Sequence, residues 1–319
     1  MSTGKGSGGP TRAQHYVPQF YLRQWCDDED AFYPVKVAAK EPPSLSVFNK
    51  KSGPSRFCYE NYFYAQHTGQ EDALSQDIEK AFAEIEGVLH ATIPTIEQKI
   101  LDNQQITYED KYRLCEMMVF FWLKGKAHRE QSQRMSETLI KNVTRHMVRY
   151  MDRDPKQVAE LKARGLTVED MIDFADRGEY SVDFGNMHHM VLMKEMYGFC
   201  NLLAAKYWRI YLSREGHFIA TDVPYMDIAK SKHFWGNDFL AREQIFILSP
   251  RAVIVALNPK NENGKKISRK DLTGQALRIQ AMNMHNLMNS IRFGFHKKRE
   301  LLEDLSRFTR IVYENSDPM

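Results

Sequence analysis

Met117 to Leu123 is an unbroken apolar run, Met-Met-Val-Phe-Phe-Trp-Leu, inside a segment with helical spacing. A helix that is apolar on every side belongs in the middle of a fold, because it has no face to give to water. The run is far shorter than the roughly 20 residues that cross a bilayer, so protein must bury it. Its helix is expected from Thr107 to about Arg129. Before it, Glu71 to about Gln98 places Leu74, Ile78, Phe82, Ile85, Val88 and Leu89 on a 3.6-residue stripe. Pro94 is expected to kink or interrupt that helix. After it, Gln133 to Met151 carries Met135, Leu139, Val143 and Met147 at helical spacing. Phe184 to Leu212 reads as one long helix with Met193, Tyr197, Cys200 and Tyr207 inward. Between these two, residues 152–182 are charged and read as a mobile insert. That insert has a short helix from Pro155 to Gly165 and another opened by Thr167-Val168-Glu169-Asp170, a capping-box pattern.

Strand signals flank the helical centre. Phe32 to Val37 and Ser46 to Phe48 are short β-rich runs around Pro42-Pro43, and Pro34 argues for an edge strand. His217 to Thr221, Gln244 to Leu248 and Ala252 to Leu257 read as buried strands, and Asn261 to Lys270 as a basic loop. Gln275 to Ser290 returns to helix, Ile291 to Phe295 suits a strand, and Lys297 to Tyr313 a last helix. The expected fold is α+β: a mostly helical body with a small mixed sheet built from N-terminal and 217–257 strands. Residues 1–13 read as a flexible leader and 14–319 as a single domain.

Charge and cysteine content narrow the function classes. The net charge of +3 and pI near 8.5 permit nucleic-acid contact without demanding it. Cys26, Cys58, Cys115 and Cys200 are far apart and show no zinc spacing, which suits reduced, mostly buried thiols. The leader has no apolar segment, so a soluble, cytoplasmic protein with no membrane partner is expected. Cys26 to Asp30 is acidic but lacks the spacing of a Ca²⁺ loop. His188-His189 has no His-Glu-x-x-His pattern. The chain has no phosphate loop and no dinucleotide fingerprint. Ser249 lacks a nucleophile elbow and is followed by Pro250, which removes a backbone donor from any serine-hydrolase oxyanion hole.

Near the start stands His15-x-x-Pro18-x-x-Tyr21-Leu22. Later come Phe218-Ile219-x-Thr221-Asp222-x-Pro224 and Leu248-Ser249-Pro250, then Asn283 and Asn286 ahead of Arg292-Phe293. In these landmarks the chain resembles the microbial family known as domain of unknown function 4238, over about residues 14–295. Arg129 also resembles a family position. Thr221 stands where a Ser is usual, and Val223 where an Asn is frequent. The resemblance implies fold and site positions but no chemistry.

His15, Asp222, Ser249 and one of Asn283 and Asn286 form the candidate chemical set, because several fall beside Pro at element ends. As a hydrolase, possibly a nuclease, the chain would use His15 as base or ligand and Asp222 as its partner, with an Asn positioning water or substrate. Arg129, Ser249 and Arg292 would contact substrate, and a divalent metal could serve as cofactor. The structural alternative has His15 bonding Asp222 to tie the N-terminal segment to the sheet, in a non-catalytic nucleic-acid-binding or protein-interaction module. Two basic clusters would hold phosphates under either reading: Lys260, Lys265, Lys266, Arg269 and Lys270 in 260–270, and Arg292, His296, Lys297, Lys298 and Arg299 in 292–299. Aromatic interleaving is slight in both, which does not suggest base stacking.

Overall fold

The Tyr108–Lys124 helix is the centre of the main core, with Leu114, Cys115 and nearly all of Met117 to Leu123 buried. The computed structural model describes residues 12–67, 74–182, 193–228, 243–258 and 267–315. His188-His189, Lys260, Lys265, Lys266 and nearly all of the leader lie outside them. The chain divides into two compact units, one formed by 1–126 with 189–319 and the other by 127–188.

In the larger unit the central helix packs against the helices Asp77–Leu101 and Met196–Ala204. Trp122 meets Phe199 at 4.8 Å, and Phe121 meets Phe246 of the sheet at 5.3 Å. Thr107 opens the central helix with a capping box to Asp110. It ends at Gly125, four residues before the expected Arg129, and a new helix starts at Lys126. Pro94 neither ends nor interrupts the Asp77–Leu101 helix.

The α+β class holds, and the strands divide between two main sheets rather than one. The first has the order β12-β7-β11-β10-β9, from β7 Tyr207–Leu212, β9 Tyr225–Ile228, β10 Glu243–Ser249, β11 Ala252–Leu257 and β12 Ile267–Asp271. The second has the order β3-β2-β13-β8, from β2 Tyr33–Lys40, β3 Pro43–Val47, β8 Ala220–Thr221 and β13 Phe293–His296. So the N-terminal strands share a sheet with the end of the chain and with 220–221, while the other strands of 217–257 join 207–212 in the first sheet.

Three expectations are corrected here. The run to Leu212 is not helix throughout: the helix ends at Ala204, and Tyr207–Leu212 alternates between buried and half-buried, a strand period. Residues 267–271 are strand, running parallel to β7. Pro34 does not mark an edge, since β2 lies between β3 and β13. The Pro34 carbonyl accepts from Phe48 N–H, and β3 pairing begins only at Val35, so its missing N–H falls at the end of that ladder.

One face of the second sheet carries a smaller core: Val35, Val37 and Ile219 with Leu287, Leu301, Leu302 and Leu305 of the helices Ala276–Met288 and Arg299–Glu314. Gly294 sits in β13 on this face. A Cβ there would lie 2.8 Å from Leu287 Cδ1, 3.1 Å from Val35 Cγ1 and 3.3 Å from the Ala220 carbonyl. Gly294→Ala is therefore expected to cost about 1–3 kcal/mol by overpacking, read as a lower urea midpoint with an unchanged slope.

The smaller unit holds most of the Lys126–Val148 helix with the helices Pro155–Ala163 and Val168–Arg177. Thr167 and Asp170 form the expected capping box. Arg145 donates to the Ala175 carbonyl at 3.3 Å, and Phe174 stacks on Tyr180 at 4.9 Å. Met135, Leu139, Val143 and Met147 do not face inward as their spacing suggests; they are 43–66% exposed.

Candidate functional site

Asp222 follows β8 and is 1% exposed. Its carboxylate accepts from three successive backbone N–H groups: Ile291 on Oδ1 at 2.9 Å, and Arg292 and Phe293 on Oδ2 at 2.8 and 3.0 Å. Its own N–H donates to the Phe293 carbonyl at 3.0 Å. The side chain thus fixes the turn between the Ala276–Met288 helix and β13. Burial pushes its carboxyl up to about 6, against the pull of those three donors.

Asn283 does the same work one element away. It is fully buried, accepts from Ile219 N–H at 3.2 Å and donates to the His217 carbonyl at 2.8 Å. Asn286 is also buried, with Nδ2 lacking an acceptor. Ser249 Oγ accepts from Arg251 N–H at 3.1 Å and closes the β10–β11 hairpin. Arg129 belongs to the unit of residues 127–188, where it is half-buried and already engaged.

His15 does not hydrogen-bond Asp222. It lies on β1 (Ala13–His15), pairs in register with Tyr59 of β4 (Tyr59–Asn61), and approaches Gln19 Nε2 at 3.4 Å. Its ring stands 5.4 Å from that of Tyr59. Burial holds its imidazole below the usual range; a Ser55 backbone hydrogen bond opposes this and the nearby Lys124 charge adds to it. The Asp222 charge is felt instead at Cys58, where burial, then that charge, raises the thiol well above its usual value. With a neutral imidazole and a carboxylate spent on backbone donors, the set has no base–acid contact for proton transfer. Among the described residues no group of three or more His, Cys, Asp or Glu side chains is placed to hold a metal ion.

The tie between the N-terminal segment and the first sheet is made by residues whose polar tips the sequence hides. Tyr21 is fully buried between Trp25 and Phe121, and its hydroxyl donates to the Ile247 carbonyl of β10 at 2.6 Å. Trp25 Nε1–H donates to the Phe218 carbonyl at 2.7 Å. Tyr21→Phe leaves the Ile247 carbonyl buried and unpaired, so a loss of about 1–3 kcal/mol is expected in urea denaturation.

Around the Asp222-fixed turn the fold gathers aromatic and basic side chains from distant segments. Arg292 is exposed, with its guanidinium 5.2 Å from the centre of the half-buried Phe293 ring. Phe57 meets Phe293 edge-on at 5.4 Å and Phe48 does so at 6.4 Å. Phe48 and Tyr59 are 37% and 41% exposed, and Arg56 is exposed. The cluster at 292–299 is smaller than its sequence suggests. His296 is buried, held neutral by burial that pushes it down to about 4, and bonded to the Gly216 carbonyl and Lys298 N–H. Arg299 is paired with Glu303. Arg292, Lys297 and Lys298 remain exposed.

A family model described as "Protein of unknown function (DUF4238)" matches residues 13–300. The chain belongs to the DUF4238 family. No curated protein and no solved structure matches it. The DUF4238 match begins at β1 and reaches the Arg299–Glu314 helix, so it covers both main sheets and every clasp described above.

Proposed function

We propose that this DUF4238 chain is a non-catalytic binding module for single-stranded nucleic acid, with the 291–293 turn at the centre of its contact surface. The observation that carries this is the use of both Asp222 carboxylate oxygens, at 1% exposure, on the N–H groups of Ile291, Arg292 and Phe293. A carboxylate used this way positions the turn, with three of its about four lone-pair sites already taken by backbone donors. The turn presents an exposed cation beside a half-exposed aromatic group of Phe48, Phe57 and Phe293. That combination suits backbone phosphates and unstacked bases. No helix among the described residues is long and apolar enough to cross a membrane.

The test is a labelled single-stranded oligonucleotide titrated with the intact protein, with and without Mg²⁺ or Mn²⁺, followed by gel analysis of the strand. Saturable binding with an intact strand is expected. Cleavage that disappears in a folded His15→Ala variant would restore the hydrolase reading and remove this one.

A further inference from the structure

We infer that the cavity between the start of the Tyr108–Lys124 helix, the end of the Met196–Ala204 helix and β12 is a binding site for a small organic oxyanion, a carboxylate or a phosphate monoester. The inference is independent of the Arg292 surface.

The cavity holds about 390 Å³, within the range of roughly 300–1,000 Å³ that small-molecule sites occupy. Two cations line it, Lys111 and Arg269, and among the described residues no carboxylate does. Lys111 is 4% exposed. Its ammonium donates to the carbonyls of Ala204 at 2.7 Å and Lys206 at 2.8 Å and lies 5.1 Å from the Trp208 ring centre. An ammonium has three N–H groups, so one is left without a protein acceptor. Arg269 donates to Asn103 Oδ1 at 3.3 Å and to the Gln104 carbonyl at 2.5 Å, while its Nε–H is buried with no partner. All four acceptors are neutral.

The nearest carboxylate in sequence is already committed. Asp110 takes Lys99 at 2.8 and 3.0 Å and the Thr107 N–H at 2.9 Å, so it does not offset the two lining cations. Thr107 and Tyr108 bring the first turn of the central helix to the wall, where N–H groups have no acceptor inside the helix. Two uncompensated cations, spare donors and a helix start around one cavity form an environment that an oxyanion completes and a neutral or cationic ligand does not. Burial also lowers the Lys111 ammonium to about 8, the effect expected of a cation lacking its counter-charge.

The test is isothermal titration of the intact protein with inorganic phosphate and, separately, with succinate, against chloride at matched ionic strength. Saturable binding of at least one of the two is expected, and which one binds separates phosphate from carboxylate ligands. Arg269→Gln should weaken that binding by about tenfold or more. If that variant does not fold, Arg269→Lys, which keeps the charge but lacks the Nε–H and the planar fork, should also bind more weakly than wild type. The inference is overturned if neither anion binds beyond chloride, or if the folded Arg269 variant binds as tightly as wild type.

Discussion

Asp222→Ala is expected to lower stability by about 3–5 kcal/mol near neutral pH, because three part-buried N–H groups lose the buried carboxylate that accepts them, at about 1–3 kcal/mol each. Relief of a desolvated charge offsets part of that sum. Asp222→Asn should fall between, since one amide oxygen can still accept while the amide NH₂ opposes a backbone donor. The pH dependence has a definite sign. The folded carboxyl is raised from the ordinary 3.8 to about 6, so the folded state binds the proton more tightly than the unfolded chain. The stabilisation is complete below about pH 4 and is lost as pH rises through 6, and a shift of that size is worth about 3 kcal/mol. Asp271 acts oppositely: Thr273 and Arg214 hold it down to about 2, so its contribution is lost only in strong acid. Urea titrations of wild type and Asp222→Ala at about pH 4.5 and pH 7 isolate the Asp222 part. The difference between the two proteins should be larger at the lower pH. A difference below about 1 kcal/mol at both, less than one unpaired buried donor costs, would mean that the turn is held by something else.

The second large effect is on binding. Phe293→Ala removes the ring that Arg292 and Phe57 approach, and base–aromatic stacking is worth about 1–3 kcal/mol per base. Oligonucleotide affinity should therefore fall roughly ten- to a hundredfold. Arg292→Ala should weaken binding uniformly across sequences and reduce the slope of log affinity on log salt by about 1. Fluorescence anisotropy between about 50 and 200 mM KCl reads both effects. Phe293 also packs on Phe57, so Phe48→Ala is the matching variant at a more exposed position. Its affinity should fall in the same direction while its melting temperature stays near wild type. Unchanged affinity in all three variants would remove the turn from the contact surface.

How legible this was depended on whether the signal was local. The bounds of β11, Ala252–Leu257, were readable because a continuous apolar run ends at Pro259. The capping box at Thr167 was readable because its two partners are three residues apart. Tyr207–Leu212 was not, since its alternation follows directly on a helical run and six residues fit either period. The landmarks around Asp222 and Asn283 pointed to polar side chains that the structure commits to backbone hydrogen bonds. Sequence reports that a carboxylate follows a strand; it does not report that three N–H groups from residues 291–293 converge on it. The aromatic group was invisible for the same reason. Phe48 and Phe57 lie far in sequence from the 292–299 basic run that holds Phe293, and only the pairing of β2 with β3 and β13 brings two of the segments together. Tyr21 and Trp25 were legible as core residues, while their hydroxyl and indole donors, which reach Ile247 and Phe218, were not.

The most direct measurement is amide chemical-shift mapping of the wild-type protein during titration with a short single-stranded oligonucleotide. Shifts that saturate together and centre on Phe48, Phe57, Tyr59, Arg292 and Phe293 are expected, with the strand recovered whole. Shifts centred elsewhere in the molecule, or none at oligonucleotide excess, would contradict the account.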